Sequence, residues 1–117
     1  MAGVEFSFST DQFGRLTCDV SNGPETAVVT ASDRPRAIAD LSAAIDALER
    51  NSIAECYWHE GAGEYRWVFR LINQRLRLAI LWSTGTVTGW EHVFWAESDP
   101  DPLLNLLRRE MDSVAAA

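Results

Sequence analysis

The chain has 117 residues, and a composition of 47% hydrophobic and 23% charged residues supplies a real core, which excludes disordered and fibrous proteins. Seventeen acidic residues against ten basic ones leave a formal net charge of -7. Nucleic-acid binders take most of their affinity from neutralising phosphates, so this balance argues against nucleic-acid and anionic-membrane partners. All ten basic residues are arginines, whose planar guanidinium suits carboxylate pairing and aromatic stacking.

The sequence favours a cytoplasmic location. The first residues lack a basic stretch followed by an apolar run, so they predict no secretory signal. The most apolar region, residues 67–82, is interrupted by three arginines and is not expected to cross a bilayer as a helix. Two cysteines, Cys18 and Cys56, are too few for a disulfide framework, so we expect reduced thiols.

The N-terminal segments predict a β-hairpin. Residues 4–9 and 16–20 each alternate apolar and polar side chains, as half-buried strands do. The residues between them have turn chemistry, with Gly14 able to adopt a positive φ. We expect Phe8 to pair with Leu16, which keeps one face of the hairpin apolar.

Residues 26–30 predict a short third strand at a sheet edge. Two later segments predict amphipathic helices. The first helix is expected to begin with Ser32–Pro35 as its cap and first turn and to end at Asn51. The second is expected to begin with Asp101 as its cap, and residues 115–117 are expected to fray. Apolar positions at helical spacing are Ile38, Leu41, Ile45 and Leu48 in the first helix, and Leu103, Leu107, Met111 and Val114 in the second.

The central region predicts a second hairpin, preceded by a strand over residues 53–59. Residues 65–72 and 75–82 both alternate, and a two-residue turn between them makes one face entirely apolar. This register sets Leu71 against Leu76 and Tyr65 against Trp82.

The number of loop residues before the last strand, residues 90–97, decides which of its side chains point inward. Successive strand residues alternate between the two faces, so an odd and an even loop give opposite results. A two-residue loop before it would bury the carboxylate of Glu91, so we expect an odd loop of three or five residues within 84–89. An odd loop directs Trp90, His92, Phe94 and Ala96 inward and Glu91, Trp95 and Glu97 outward. With five loop residues, Glu97 faces Arg75 and Trp95 faces Arg77.

These elements predict one α+β domain over residues 1–117, in the order β-β-(β)-α-β-β-β-β-α. We expect a two-layer architecture, with an antiparallel sheet of about six strands and two amphipathic helices on one of its faces. The sheet can curl around the second helix or stay open, and the sequence does not decide between these forms.

The sheet face turned away from the helices is the first candidate site. It mixes arginines with large apolar residues, which is typical of protein interfaces. The alternative is an ordinary solvated face with weak surface ion pairs. Arg70 is predicted to sit opposite Arg77, a like-charge pair that a partner can relieve. The candidate interface residues are Glu55, Arg66, Arg70, Arg75, Arg77, Leu81, Glu91, Val93, Trp95 and Glu97.

These observations favour a small acidic, non-enzymatic protein-interaction module that binds a protein partner, for example a basic one, or itself as a homodimer. The alternative function is binding of a small hydrophobic ligand in a tryptophan-lined cavity between the sheet and the second helix. The tryptophans can equally be core filler. The candidate pocket residues are Trp58, Tyr65, Trp67, Trp82, Trp90 and His92.

The sequence predicts no cofactor and no metal site. Cys56 and His59 lie three residues apart on a strand and therefore point to opposite faces. No serine elbow, carboxylate pair or phosphate loop stands out, so an enzyme is not favoured. In size, acidity and layout the chain resembles small bacterial toxin-immunity proteins and secretion chaperones, although no motif is shared.

Overall fold

The structure is a computed structural model that describes residues 4–84 and 89–115. Over these residues the order of elements agrees with the predicted one. The elements are β1 (Glu5–Thr10), β2 (Leu16–Ser21), β3 (Thr26–Ala31), α1 (Arg34–Arg50), β4 (Ile53–Glu60), β5 (Gly63–Ile72), β6 (Arg75–Ser83), β7 (Glu91–Ser98) and α2 (Pro100–Ala115).

The strands form two antiparallel sheets, so the α+β class is confirmed but the single sheet of about six strands is wrong. One sheet has the order β1-β2-β3 and the other the order β4-β5-β6-β7. The chain passes through α1 between β3 and β4, and the Ser32 N–H donates a hydrogen bond to the His59 carbonyl at 2.9 Å. Beyond this hydrogen bond β3 and β4 do not pair in the described structure, so β3 is an edge strand of the first sheet and β4 an edge strand of the second.

The core lies between the inner faces of the two sheets and the helices. The Phe6 and Trp67 ring centroids are 6.4 Å apart, and Phe8 contacts Trp58 edge-on at 6.2 Å, so aromatic rings join the sheets. We expected both helices on one sheet face. Instead, α1 packs mainly on β4 and α2 on β1, and the two helices contact each other.

The helices bury the apolar positions predicted for them, with Ile38 at the boundary. The Asp33 carboxylate caps α1 by accepting the Arg36 N–H at 3.1 Å, and Asn51 ends the helix as expected. The helix α2 begins at Pro100, so the prediction that Asp101 is its cap is wrong and this residue lies in the first turn. At 17 and 16 residues, α1 and α2 are too short and too polar to span a bilayer, and the described part of the chain has no other helix.

The first hairpin keeps its predicted faces but shifts its register by two residues. Thr10 pairs with Leu16 and Phe8 with Cys18, whereas we expected Phe8 opposite Leu16. The turn explains the shift, because the Asp11 carboxylate accepts the N–H groups of Phe13 and Arg15 at 2.9 Å and closes the loop one residue later than expected. A two-residue shift leaves every side chain on its original face.

The central hairpin has the predicted register. Leu71 pairs with Leu76, and Tyr65 pairs with Trp82. The two turn residues, Asn73 and Gln74, have φ values of 50° and 66°, as a tight two-residue hairpin turn requires. Their positive φ values match the right-handed twist of the flanking strands.

Candidate functional site

The outer face is the side of the β4–β7 sheet turned away from the core. Antiparallel pairing arranges its side chains in rows that cross all four strands. The first row is Ile53, Arg70, Arg77 and Glu97, the second is Glu55, Val68, Ala79 and Trp95, and the third is Tyr57, Arg66, Leu81 and His92. The predicted opposition of Arg70 and Arg77 is therefore confirmed.

A β-bulge in β7 overturns part of the parity prediction. Phe94 pairs with Ile80 as an inner residue, but the next pair is His92 with Leu81, which leaves Val93 as an extra residue. The predictions of an inward His92 and an outward Val93 are wrong, since His92 is exposed and Val93 packs against the core. The prediction that Glu91 lies on the outer face is also wrong, because Glu91 pairs with Trp82 on the opposite side of the sheet, although its side chain is exposed.

The same bulge moves Trp90 to the outer face, whereas we expected it in the core. The Arg66 guanidinium lies 5.6 Å from the centre of the Trp90 ring, and the Tyr57 ring lies 6.1 Å from it. A bulge leaves no mark in apolar–polar alternation, so the sequence could not indicate this position. Residues 85–88, where the predicted odd loop falls, lie outside the described residues.

The outer face holds most of the exposed large hydrophobic side chains of the described chain. Five such side chains are exposed, and three of them, Ile53 (48%), Trp90 (38%) and Trp95 (45%), belong to this face. The other two are Phe13 and Val28. Ile53 was not among the predicted interface residues, although it lies two residues before Glu55 in β4 and therefore on the same face.

Ion pairs cross the outer face near both of its long edges. The Arg66 Nη2 lies 2.6 Å from the Glu55 carboxylate, which also accepts the Tyr57 hydroxyl at 3.1 Å. The hydrogen bonds from Arg66 hold the pKa of the Glu55 carboxyl below its ordinary value. These contacts fix the orientation of the arginine that covers Trp90.

At the other edge, Glu97 lies between two arginines. It is 3.4 Å from Arg75 and 3.2 Å from Arg77, and Asp99 is 2.8 Å from Arg75. The prediction that Glu97 faces Arg75 across the strands is wrong, because Arg77 is directly opposite, but the expected ion pair of Glu97 with Arg75 is present. Trp95 lies opposite Ala79, so the predicted pairing of Trp95 with Arg77 is wrong.

Arg70 is the outer-face arginine without an ion pair among the described residues. Its neighbours across the sheet are Ile53 and Arg77, and its side chain is exposed. Directly opposed like charges destabilise a strand pair. A carboxylate from a partner would relieve this repulsion.

The residues of the predicted tryptophan pocket do not line a common space. Trp58 and Trp67 are fully buried with ring centroids 4.8 Å apart, and Tyr65 and Trp82 pair at 4.6 Å. Trp90 and His92 lie on the outer face.

The thiols are buried, and the described residues offer no grouped ligands for a metal. Cys18 and Cys56 are free, and burial raises the pKa of each thiol, that of Cys56 to about 12. Cys56 is buried and His59 exposed, as their spacing predicted. Within residues 4–84 and 89–115, no three His, Cys, Asp or Glu side chains come together as a metal ion would need.

Comparisons of the chain with models of protein families, with curated proteins and with solved structures found no match.

Proposed function

We propose that the protein is a non-enzymatic interaction module whose outer face binds a second copy of the chain in a two-fold dimer. The observation that carries this proposal is the grouping of Ile53, Trp90 and Trp95, all more than a third exposed, on one sheet face. Tryptophan and arginine are enriched at the energetic centres of protein interfaces. A solvated sheet face would more often carry polar residues at these positions.

The charge distribution favours a second copy as the partner. The protein carries a net charge of -7, so two copies repel each other over most of their surfaces. The outer face is neutral, because four arginines (Arg66, Arg70, Arg75 and Arg77) are matched by four carboxylates (Glu55, Glu64, Glu97 and Asp99) at or beside it. Two copies can therefore approach through this face without long-range repulsion.

A two-fold contact also suits the mixture of groups on the face. In such a contact the same patch meets itself, so a glutamate of one copy can reach an arginine of the other. Arg70, which has no ion pair with a described residue, would gain a carboxylate partner. The exposed Trp95 ring would supply apolar area to the centre of the contact.

The size of the face sets the expected strength. Four strands spaced about 4.8 Å apart and roughly eight residues long present about 500 Å² per copy. Two copies would bury about 1,000 Å², which is at the low end of specific interfaces. We therefore expect a dimer that dissociates at micromolar concentrations.

The test is sedimentation equilibrium over a range from about 1 to about 500 μM, which brackets the expected dissociation. The parent chain should shift from monomer to dimer in this range. Trp95→Glu should remain monomeric at every concentration and keep the parent circular-dichroism spectrum. The matched control is Phe13→Glu, which also replaces an exposed aromatic ring by a carboxylate; Phe13 is 76% exposed in the first turn, away from the outer face.

A parent chain that stays monomeric throughout refutes the dimer. A dimer weakened equally by both substitutions refutes the outer face as its interface. Unfolding of Trp95→Glu would show that Trp95 supports the core, contrary to its exposure.

The ligand-binding alternative has one observation in its favour. The indole N–H groups of Trp58 and Trp67 are buried and have no hydrogen-bond partner among the described residues. A hydrophobic ligand with one acceptor would satisfy them only by separating the two rings, which pack at a tilt of 47°. Titration with decanoate, monitored by tryptophan fluorescence, tests this function, and a saturable change that is lost in Trp58→Phe would support it.

A further inference from the structure

A groove of about 610 Å³ lies between α1 and the free edge of the β4–β7 sheet. The strand β4 forms this edge, because it pairs with β5 on one side only. Four consecutive residues, 54–57, line the groove. Successive strand residues point to opposite faces, so all four can line one groove only where it follows the strand edge itself.

The outward backbone groups of β4 can be identified from two hydrogen bonds. The Ser52 carbonyl accepts the Leu71 N–H of β5, whereas the His59 carbonyl accepts the Ser32 N–H on the other side of the strand. In an antiparallel ladder both backbone groups of a residue point the same way, and the direction alternates along the strand. The N–H and C=O groups of Ile53, Glu55 and Tyr57 therefore point away from β5.

These outward groups are open along the first part of β4. None of the three residues has a backbone partner on that side among the described residues. Unpaired edge groups of this kind are a template for another extended strand. The open stretch spans five residues, or about 17 Å at roughly 3.3 Å per residue.

The helix wall of the groove leaves space for an added strand. It is formed by small side chains of α1, Ala43, Ala44 and Ala47, which face Ala54 and Cys56 of β4. A strand placed here could direct alternate small apolar side chains toward these methyl groups.

The charged residues of the groove favour a basic occupant. Asp40, Glu55 and Glu64 line it against Arg36 and His59. Arg36 lies 3.8 Å from Asp40 and Arg66 lies 2.6 Å from Glu55, so these two charges are partly offset, whereas Glu64 lies 3.5 Å from His59. The net charge of -7 on the chain adds to the acidic character of the groove. The same acidic character opposes pairing of β4 with the β4 of a second copy, because the carboxylates of the two copies would be brought together.

We propose that this groove binds an extended, basic peptide segment of another protein as a fifth strand beside β4. The segment would alternate small apolar residues, packed toward α1, with lysines or arginines directed at Glu55 and Glu64. Backbone hydrogen bonds to the three outward residues would hold it in register. This site borders the outer face and shares Glu55, Tyr57 and Glu64 with it, but the proposal does not depend on the dimer contact.

The direct test is fluorescence polarisation with a fluorescein-labelled hexapeptide of alternating lysine and valine. Saturable binding is expected. An alternating glutamate–valine peptide should bind at least about tenfold more weakly, since charge complementarity is lost. Two further lysine–valine peptides carry N-methyl groups on alternate amides, one on the amides that face β4 and the other on the amides that face away. The peptide whose edge-facing amides are blocked should bind at least about tenfold more weakly than the unmodified peptide. Equal binding of all these peptides would overturn the proposal.

The location is tested with a matched pair of variants on exposed positions of α1. Ala43→Arg places bulk and positive charge in the groove and should weaken binding at least about tenfold. Ala39→Arg makes the same change outside the groove lining and should bind like the parent. Hydrogen exchange should show that the lysine–valine peptide slows exchange at the Glu55 and Tyr57 amides. Protection confined to other elements would contradict the proposal.

Trp95→Glu separates the two proposals. It should abolish the dimer and leave peptide affinity unchanged, because Trp95 does not line the groove. Loss of both properties in this variant would contradict the independence of the peptide groove from the dimer contact.

Discussion

Gly63 at the start of β5 is a position where one methyl group should be strongly destabilising. A Cβ added there would meet the Trp82 ring and lie 2.5 Å from the Ser83 carbonyl oxygen. The Trp82 ring packs against Tyr65 at 4.6 Å, and Ser83 pairs with Glu64 in the β5–β6 ladder. Relief of the clash therefore requires movement of backbone as well as of a side chain.

The expected magnitude follows from this geometry. Overpacking lowers the unfolding free energy by roughly 1–3 kcal/mol. Because the Ser83 carbonyl is held in the ladder, we expect Gly63→Ala to cost about 3 kcal/mol. The control is Gly61→Ala in the same turn, where nothing lies within 4 Å of an added Cβ but φ is +57°. That substitution should cost only the left-handed strain of an alanine, about 1 kcal/mol.

Urea unfolding followed by tryptophan fluorescence measures both changes in unfolding free energy. We expect Gly63→Ala to be less stable than Gly61→Ala by about 2 kcal/mol, with unchanged m-values. Two variants that differ by less than about 0.5 kcal/mol would refute the close approach of β5 and β6 at this end of the sheet.

Three further predictions concern the turn, the thiols and the ion pair at Glu55. Gln74→Gly should raise the unfolding free energy by about 0.5–1 kcal/mol, because φ at this position is 66°; a destabilised variant in the same urea assay would contradict the turn geometry. Burial raises the pKa of both Cys18 and Cys56, so neither thiol should react with a disulfide reagent at about pH 8 until urea unfolds the protein, and rapid labelling of the native protein would contradict their burial. Arg66 lowers the pKa of Glu55. The ion pair therefore stabilises the fold fully above the ordinary pKa of 4.5, and this stabilisation is lost as pH falls through the lowered pKa. Arg66→Gln should therefore flatten the fall in melting temperature between about pH 5 and about pH 3, and an unchanged profile would show that this pair is unimportant.

The central hairpin shows what alternation can predict. Residues 65–72 and 75–82 carry a continuous apolar face, and a one-residue slip would reverse it, so the register followed from sequence. The first hairpin shows the limit of the same reasoning. A two-residue shift preserves the faces, and only the contacts of Asp11 in the turn decide between the two registers.

The residues that lie on the outer face could be predicted except where β7 bulges, although the register of β7 against β6 differs by two residues from the expected one. Arg66, Arg70, Arg77 and Trp95 are placed by strand parity alone. Val93 is an extra residue in β7, so the residues before it lie on the faces opposite to those expected. The sequence carries no signal for the bulge because it depends on how β7 fits the end of β6.

The division into two sheets and the groove beside β4 depend on tertiary packing. The sequence between β3 and β4 predicted a helix. It did not indicate that the two strands would meet only near Ser32 and His59. The groove exists because α1 packs beside the free edge of β4. Long-range placement of this kind is not encoded in local periodicity.

The outer-face dimer is tested most directly by an isotope-filtered NOE experiment on a mixture of labelled and unlabelled protein. This experiment detects only contacts between copies. We predict cross-copy NOEs from the Trp95 indole to outer-face side chains such as Ile53 or Leu81. Cross-copy NOEs confined to α1 or α2, or their absence at concentrations where sedimentation shows a dimer, would contradict the outer face as the contact surface.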